Sequence, residues 1–249
     1  MTNPSLLKPD LGRYGVWTGG PVTPEQAVEI ERLGYGAVWV GGSPAADLSF
    51  VEPILSQTET LSIATGIVNI WSAPADEVAE SYHRIEKRLS RSVSARSRRR
   101  HPEKTQEYTK PYAALVNYLD KLDDKHVPTS RRVIAALGPK VLHLAAQRSA
   151  GAHPYLTTPE HTGQARNLVG PTVFLAPEHK VVLSSPDAQG GAEEARALGR
   201  DSVGFYLGLS NYVNNWKRLG FTDADVAPPA SDKLIDAVVA HGTADAIAA

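Results

Sequence analysis

The chain has 249 residues and a formal net charge of −1, with 42% apolar and 21% charged residues. That is globular composition at the size of one α/β barrel, with no global pull towards nucleic acid or an anionic membrane. The lack of cysteine excludes disulfides, thiolate nucleophiles and cysteine-ligated metals. Met1 to Asp10 shows no secretory pattern and no apolar run nears the roughly 18 residues of a membrane span, so a cytoplasmic protein is expected.

Tyr14 to Thr18 reads as a first strand, closed by Gly19-Gly20. Thr23-Pro24-Glu25-Gln26 predicts a helix start, because the Thr hydroxyl caps, Pro takes the first helical position and Gln reaches back. Ala27, Ile30 and Leu33 form the apolar stripe of that helix, and Gly34 ends it. Ala37 to Val40 is a second strand closed by Gly41-Gly42, followed by a helix over Leu48 to Gln57. Leu61 to Trp71 is a third strand, too continuously apolar to be half-solvated. A helix follows from Pro74 to about Arg88.

Further along, a helix is expected over Tyr112 to Leu122, a strand over Arg132 to Leu137, and a helix opening at Gly138-Pro139. A short strand near Gly151 to Leu156 precedes a helix capped by Thr158-Pro159-Glu160. Thr172 to Ala176 or Lys180 to Leu183 supplies another strand, and a long helix runs from about Ala192 to Leu207. Asn211 to Phe221 reads as irregular, and a last helix covers Ser231 to about Ala240.

Strict strand–helix alternation implies a parallel sheet, and the number of units predicts a single (β/α)8 barrel domain over 1–249. No G-x-G-x-x-G follows the first strand, which argues against an open doubly wound sheet. Leu89 to Arg100 interrupts the pattern. It reads LSRSVSARSRRR, with five arginines, where alternation demands the fourth strand. A solvated loop or a phosphate patch would explain its charge, and neither explains its place. Thr243 to Ala249 begins a helical pattern and stops, so the closing eighth strand is expected to be missing.

The chemistry is carried by glycines at strand ends. Gly19-Gly20, Gly41-Gly42 and Gly138 each follow an apolar run, where barrel ligands sit and where turns also need glycine. Gly138-Pro139 opens a helix whose free N–H groups and dipole suit a phosphate, with Lys140 adding charge. His153 ends a strand and either serves a cofactor, by orienting it or passing a proton, or is a hydrogen-bonded structural histidine. The histidines show no ligand spacing, so no metal is expected. There is no G-x-S-x-G elbow either.

The blocks TPEQAVEIERLGYGAVWVGG, TETLSIATGIVNIW, ALGPKVLHLAAQRSAGAHPYLTTPEHTGQAR and GLSNYVNNWKRLGF resemble the luciferase-like monooxygenase family. The branch they resemble is the actinobacterial oxidoreductases that use the deazaflavin coenzyme F420. The resemblance covers nearly the whole chain except Leu89 to Arg100.

It implies a metal-free barrel that passes a hydride between the deazaflavin and a small organic substrate, with FMN as the alternative cofactor. It places Gly41, Gly42 and Ser43 near the ring. Gly66, Ile67, Val68 and Asn69 would pass under the ring, where relatives carry a backbone bulge. Gly138, Pro139 and the Ala152-His153-Pro154 turn would approach the cofactor's tail or rim. Relatives carry a proton-donating histidine after the second strand, but here that loop reads GGSPAAD, leaving His153 and His101 as candidate acid–base residues. Homodimers are common in the family, whereas nucleic acid and membranes are not expected partners.

Relatives also have an apolar, glycine-rich fourth strand followed by His-Pro-Glu, and this chain resumes at His101-Pro102-Glu103. With suitable codons, a compensated pair of frameshifts turns such a strand into LSRSVSARSRRR. A stave with five arginines predicts poor folding and little activity, since arginine is almost never fully buried unless paired. An FMN-dependent monooxygenase and a non-catalytic remnant are the competing expectations.

Overall fold

The computed structural model describes residues 11–89, 93–98, 111–183 and 191–248. It forms β1 (Gly15–Thr18), α1 (Pro24–Arg32), β2 (Ala37–Val40), α2 (Val51–Leu55), β3 (Ser62–Thr65), β4 (Val68–Asn69) and α3 (Ala75–Leu89). Next come β5 (Val93–Arg98), α4 (Pro111–Asp124), β6 (Arg132–Ile134), α5 (Pro139–Arg148), β7 (Gly151–Ala152), α6 (Pro159–Val169) and β8 (Phe174–Leu175). The chain continues through β9 (Lys180–Leu183), α7 (Gly191–Leu207), α8 (Ser210–Arg218), α9 (Asp223–Val226), α10 (Asp232–Val238), β10 (Val239–Gly242) and α11 (Ala244–Ala248). None of the described helices is long and apolar enough to cross a membrane.

Contacts divide the chain into two compact units. One runs as far as Ala136 and takes in Lys140–Ala152 and Thr172–Phe174; the other comprises Leu137–Pro139, His153–Pro171 and Leu175–Ala249.

The first unit is built on a parallel sheet ordered β1-β2-β3-β5-β6-β7-β8, with β4 also pairing β5. Its register is regular over the first three strands, where Gly15 faces Ala37 and Ala37 faces Ser62. Every residue of β2 and β3 is buried, as the continuous apolar runs predict for strands covered on both faces. At the head of α1, Thr23 accepts from Gln26 N at 3.2 Å, and Gln26 Oε1 accepts from Thr23 N at 2.9 Å. This is the reciprocal cap read from the sequence.

The expected third strand, Leu61 to Trp71, is two strands with a break. Ile63 and Ala64 pair Val93 and Ser94, whereas Val68 and Asn69 pair Ser97 and Arg98. Four steps from Ala64 to Val68 thus oppose three from Ser94 to Ser97, a one-residue bulge at Thr65–Ile67.

The Arg-rich segment corrects the expectation that the fourth strand is replaced by a strand-incompetent stretch. Val93–Arg98 pairs in parallel with β3 and β4 on one side and β6 on the other. A parallel ladder is made by backbone N–H and C=O groups, which this segment supplies like any other.

In the second unit, β9 and β10 pair in parallel, Lys180 facing Val239 and Leu183 facing Gly242. The sequence offered 172–176 or 180–183 as one strand, but both places carry strand. Helix was expected to about Ala240; it ends at Val238, and Val239–Gly242 is strand. Among the described residues the strands do not close into a barrel. The stretch read as irregular contains α8, whose Tyr212, Asn215 and Trp216 are buried. Apolar residues at helical spacing outweigh the poor helix propensity of its asparagines. Helix α7 carries Gly199 where a Cβ would lie 2.8 Å from Ile235, and Arg196 and Arg200 pair with Asp236 and Asp232 of α10.

Glu31, near the end of α1, ties that helix to the entry of β3. Its carboxylate accepts from the backbone N–H of Glu59 (3.0 Å), Thr60 (2.5 Å) and Leu61 (2.7 Å), and from the Thr60 hydroxyl (2.9 Å). Partial burial pushes its pKa up, but these donors together hold it down at about 2. An unfolded glutamate titrates near ~4.3, so the stabilisation is complete above that and is lost as pH falls towards 2. Glu31→Gln should lower stability at pH 7 by about 1–2 kcal/mol after allowance for solvent screening, and should flatten the acid side of the stability–pH curve. Denaturant melts of both proteins across that range check it. An unchanged acid limb would show that the carboxylate does not hold this joint.

Candidate functional site

The predicted ring-side residues gather at the C-terminal ends of β1, β2 and β3, where Trp17 organises them. A Cβ on Gly41 would lie 2.2 Å from Trp17 Cζ2 and 2.7 Å from the Thr18 carbonyl oxygen. A Cβ on Gly66 would lie 2.7 Å from Trp17 Nε1, and that nitrogen donates to the Gly66 carbonyl at 3.3 Å. The space these glycines leave is therefore occupied by an indole. Gly41 N–H donates to Thr18 O at 2.7 Å, and Gly66 N–H donates to Val40 O.

Gly42 (φ 73°) and Ser43 (φ 54°) turn the chain away in left-handed conformations. A Cβ on Gly42 would lie 2.4 Å from the Gly19 carbonyl oxygen, so glycine is required there for close backbone approach. Gly42 and Ser43 are exposed, whereas Gly66, Ile67, Val68 and Asn69 are buried. Asn69 Oδ1 accepts from Trp71 N–H at 3.1 Å, which fixes the chain just past the bulge. Ala152, in the same unit, is fully buried in β7.

The other predicted residues lie in the second unit. His153 is only 3% exposed, and its Nδ1 donates to the Ala176 carbonyl at 2.5 Å. Pro154 is buried, and its carbonyl accepts from Glu178 N–H at 2.8 Å. His101 lies outside the described residues.

Around Gly138 the fold assembles side chains that sequence spacing did not single out. Arg218 Nη2 lies 3.7 Å from where a Gly138 Cβ would be, and it donates to Asn215 Oδ1 at 2.9 Å. His161 Nε2 donates to the Leu137 carbonyl at 2.9 Å. Asn215 and His161 are 2% and 3% exposed, yet Asn215 Nδ2 and His161 Nδ1 have no hydrogen-bond partner among the described residues. Buried polar atoms are rarely left so. Burial pushes the pKa of His161 down, against the pull of the Leu137 carbonyl, and the Arg218 charge adds to the lowering. The corner thus presents a guanidinium and an amide donor, which suit an oxyanion, beside a neutral imidazole whose unprotonated Nδ1 can only accept. Arg218 and Asn215 lie three residues apart on α8, so helical periodicity relates them once that helix is recognised. No group of three or more His, Asp or Glu among the described residues could hold a metal.

No protein-family model matches the sequence, and no curated protein matches it significantly. Solved structures do. An F420-dependent secondary alcohol dehydrogenase, in complex with an F420–acetone adduct, aligns over 96% of this chain and 88% of its own, with TM-score 0.65 and 13% identity. A coenzyme F420-dependent tetrahydromethanopterin reductase from Methanopyrus kandleri aligns over 96% of each chain, with TM-score 0.59 and 10% identity. The oxygenating constituent of 3,6-diketocamphane monooxygenase from Pseudomonas putida, an FMN complex, aligns over 94% of this chain and 85% of its own. Its TM-score is 0.58 and its identity 12%. This chain shares the fold of these F420-dependent and FMN-binding enzymes.

Two outcomes follow from the geometry. Gly41→Ala puts a methyl group against both an indole and a backbone oxygen, and the latter cannot swing aside. It should cost about 2 kcal/mol or more in a thermal melt, where a loss under about 0.5 kcal/mol would contradict the packing. In an NMR pH titration, His161 should be neutral at pH 7, carry its proton on Nε2, and titrate below an exposed histidine. An ordinary or raised value would contradict the buried corner.

Proposed function

We propose that the protein is an oxidoreductase that uses coenzyme F420, with a small organic molecule as the other reactant. The observation that carries this reading is the corner at Gly138, where Arg218 and Asn215 offer donors to an anionic group of the kind that F420 and FMN both carry. The sequence blocks that resemble the F420 branch favour the deazaflavin. FMN is the second reading, because a neighbour of the same fold is an FMN complex and a phosphate seat serves either molecule.

When bound, F420 supplies hydride transfer at its ring. The residues of this chain would do the rest. In the first unit, Gly41, Gly42 and Ser43 with the Gly66–Asn69 segment would present backbone to the ring and keep water from one side of it. In the second unit, Gly138 and Pro139 would give close backbone approach to the tail, with Arg218 neutralising its charge. The Ala152-His153-Pro154 turn would border the cofactor. With Nδ1 held by the Ala176 carbonyl, Nε2 is the atom of His153 that would exchange a proton. His101 is the other proposed acid–base residue.

Fluorescence titration with F420, FMN and phosphate-free riboflavin tests the reading. F420 should bind saturably, and Arg218→Gln should weaken F420 and FMN by roughly ten- to a hundredfold while leaving riboflavin unchanged. FMN binding alone would move the protein to the second reading. A folded chain that binds neither would overturn both.

A further inference from the structure

We propose that His161 makes the Gly138 corner selective for a phosphate ester that carries hydroxyl groups, an inference that rests on the cofactor reading above. A hydroxyl of such a ligand donates to His161 Nδ1, beside a phosphate that accepts from Arg218 and Asn215. Every residue involved belongs to the second unit.

The tautomer of His161 carries the argument. Its Nε2–H is committed to the Leu137 carbonyl at 2.9 Å, so Nδ1 of the neutral ring holds a lone pair and no proton. The residue is also fixed from its backbone, whose N–H donates to the capping hydroxyl of Thr158 at 3.2 Å. Nδ1 is buried and has no partner among the described residues. A fully ionised phosphate accepts and never donates. It would satisfy Arg218 and Asn215 Nδ2 but turn its oxygen lone pairs towards that of Nδ1. A second acceptor lies close by in sequence. Asn211, Asn215 and Arg218 follow at i, i+4 and i+7 on one face of α8. Asn211 Oδ1 is likewise buried without a partner among the described residues. The donors and the acceptors here together ask for a ligand with both kinds of group.

Arg218 decides which kind of donor fits. An ammonium would meet the guanidinium as a like charge, and the same guanidinium already opposes protonation of His161. A hydroxyl brings a proton without a charge, and it can accept in turn. Phosphate and hydroxyl stand on neighbouring carbons in phosphate esters of sugar alcohols. The ribityl phosphate of F420 and FMN is of this class, so the selectivity separates both from an anion on a plain hydrocarbon tail.

The test uses the full chain with F420, FMN and an FMN analogue that keeps the phosphate on an unhydroxylated tail. FMN should bind roughly ten- to a hundredfold more tightly than the analogue. His161→Phe, once thermal melting establishes that it folds, should lose most of that difference. A second readout needs no variant: NMR of wild-type protein labelled at its histidine nitrogens. The His161 Nδ1 resonance should move upfield with F420 or FMN and stay in place with the analogue, while Nε2 keeps its proton. Equal affinity for FMN and the analogue, or saturable binding of either cofactor with Nδ1 unmoved, would overturn the hydroxyl role and leave the cofactor reading standing. An equal movement with the analogue would trace the donor to the phosphate itself and overturn it too. A chain that binds neither F420 nor FMN would overturn both readings.

Discussion

The first unit depends on an exchange of volume between two tryptophans and three glycines. Trp17 fills the space above Gly41 and Gly66, and Trp39 takes the space at Gly15, where a Cβ would lie 2.9 Å from its Nε1. Each bulky ring thus occupies the space beside a glycine of another strand or strand end, and fixes what that neighbour can be. Dense packing makes this arrangement all-or-none, since a single methyl group on the wrong strand has nowhere to go. The strand ends inherit that rigidity, and a site built there is positioned by the core itself.

The corner at Gly138 works by a different physics. It is polar, and its buried nitrogens on Asn215 and His161 remain unsatisfied among the described residues. Buried atoms left without a partner cost free energy, a common compromise between stability and function.

Much of the fold was legible because the strands are short apolar runs punctuated by glycine, and because Thr23 and Thr158 announce their helices through side-chain caps. Strand β5 was not legible, for a ladder made by the backbone leaves little mark on side-chain type. Helix α8 was hidden by its asparagines, which suit turns until burial of Tyr212 and Trp216 overrides them. The site was half legible: glycine positions mark where something bulky must fit, but not what. The indole over Gly41 and Gly66 comes from another strand, and Arg218 reaches Gly138 from a distant helix, so no local pattern links these pairs.

The bond network of Glu31 has a kinetic side. Its acceptors and donors are about thirty residues apart, and the pairing of β1, β2 and β3 is complete by Thr65. This stretch can therefore organise while later strands are still being synthesised, since its contacts close only short loops. Because β5 pairs with β3, the arginine-bearing segment could add to a sheet edge already in place. A sequence poorly suited to starting a strand needs only to extend one.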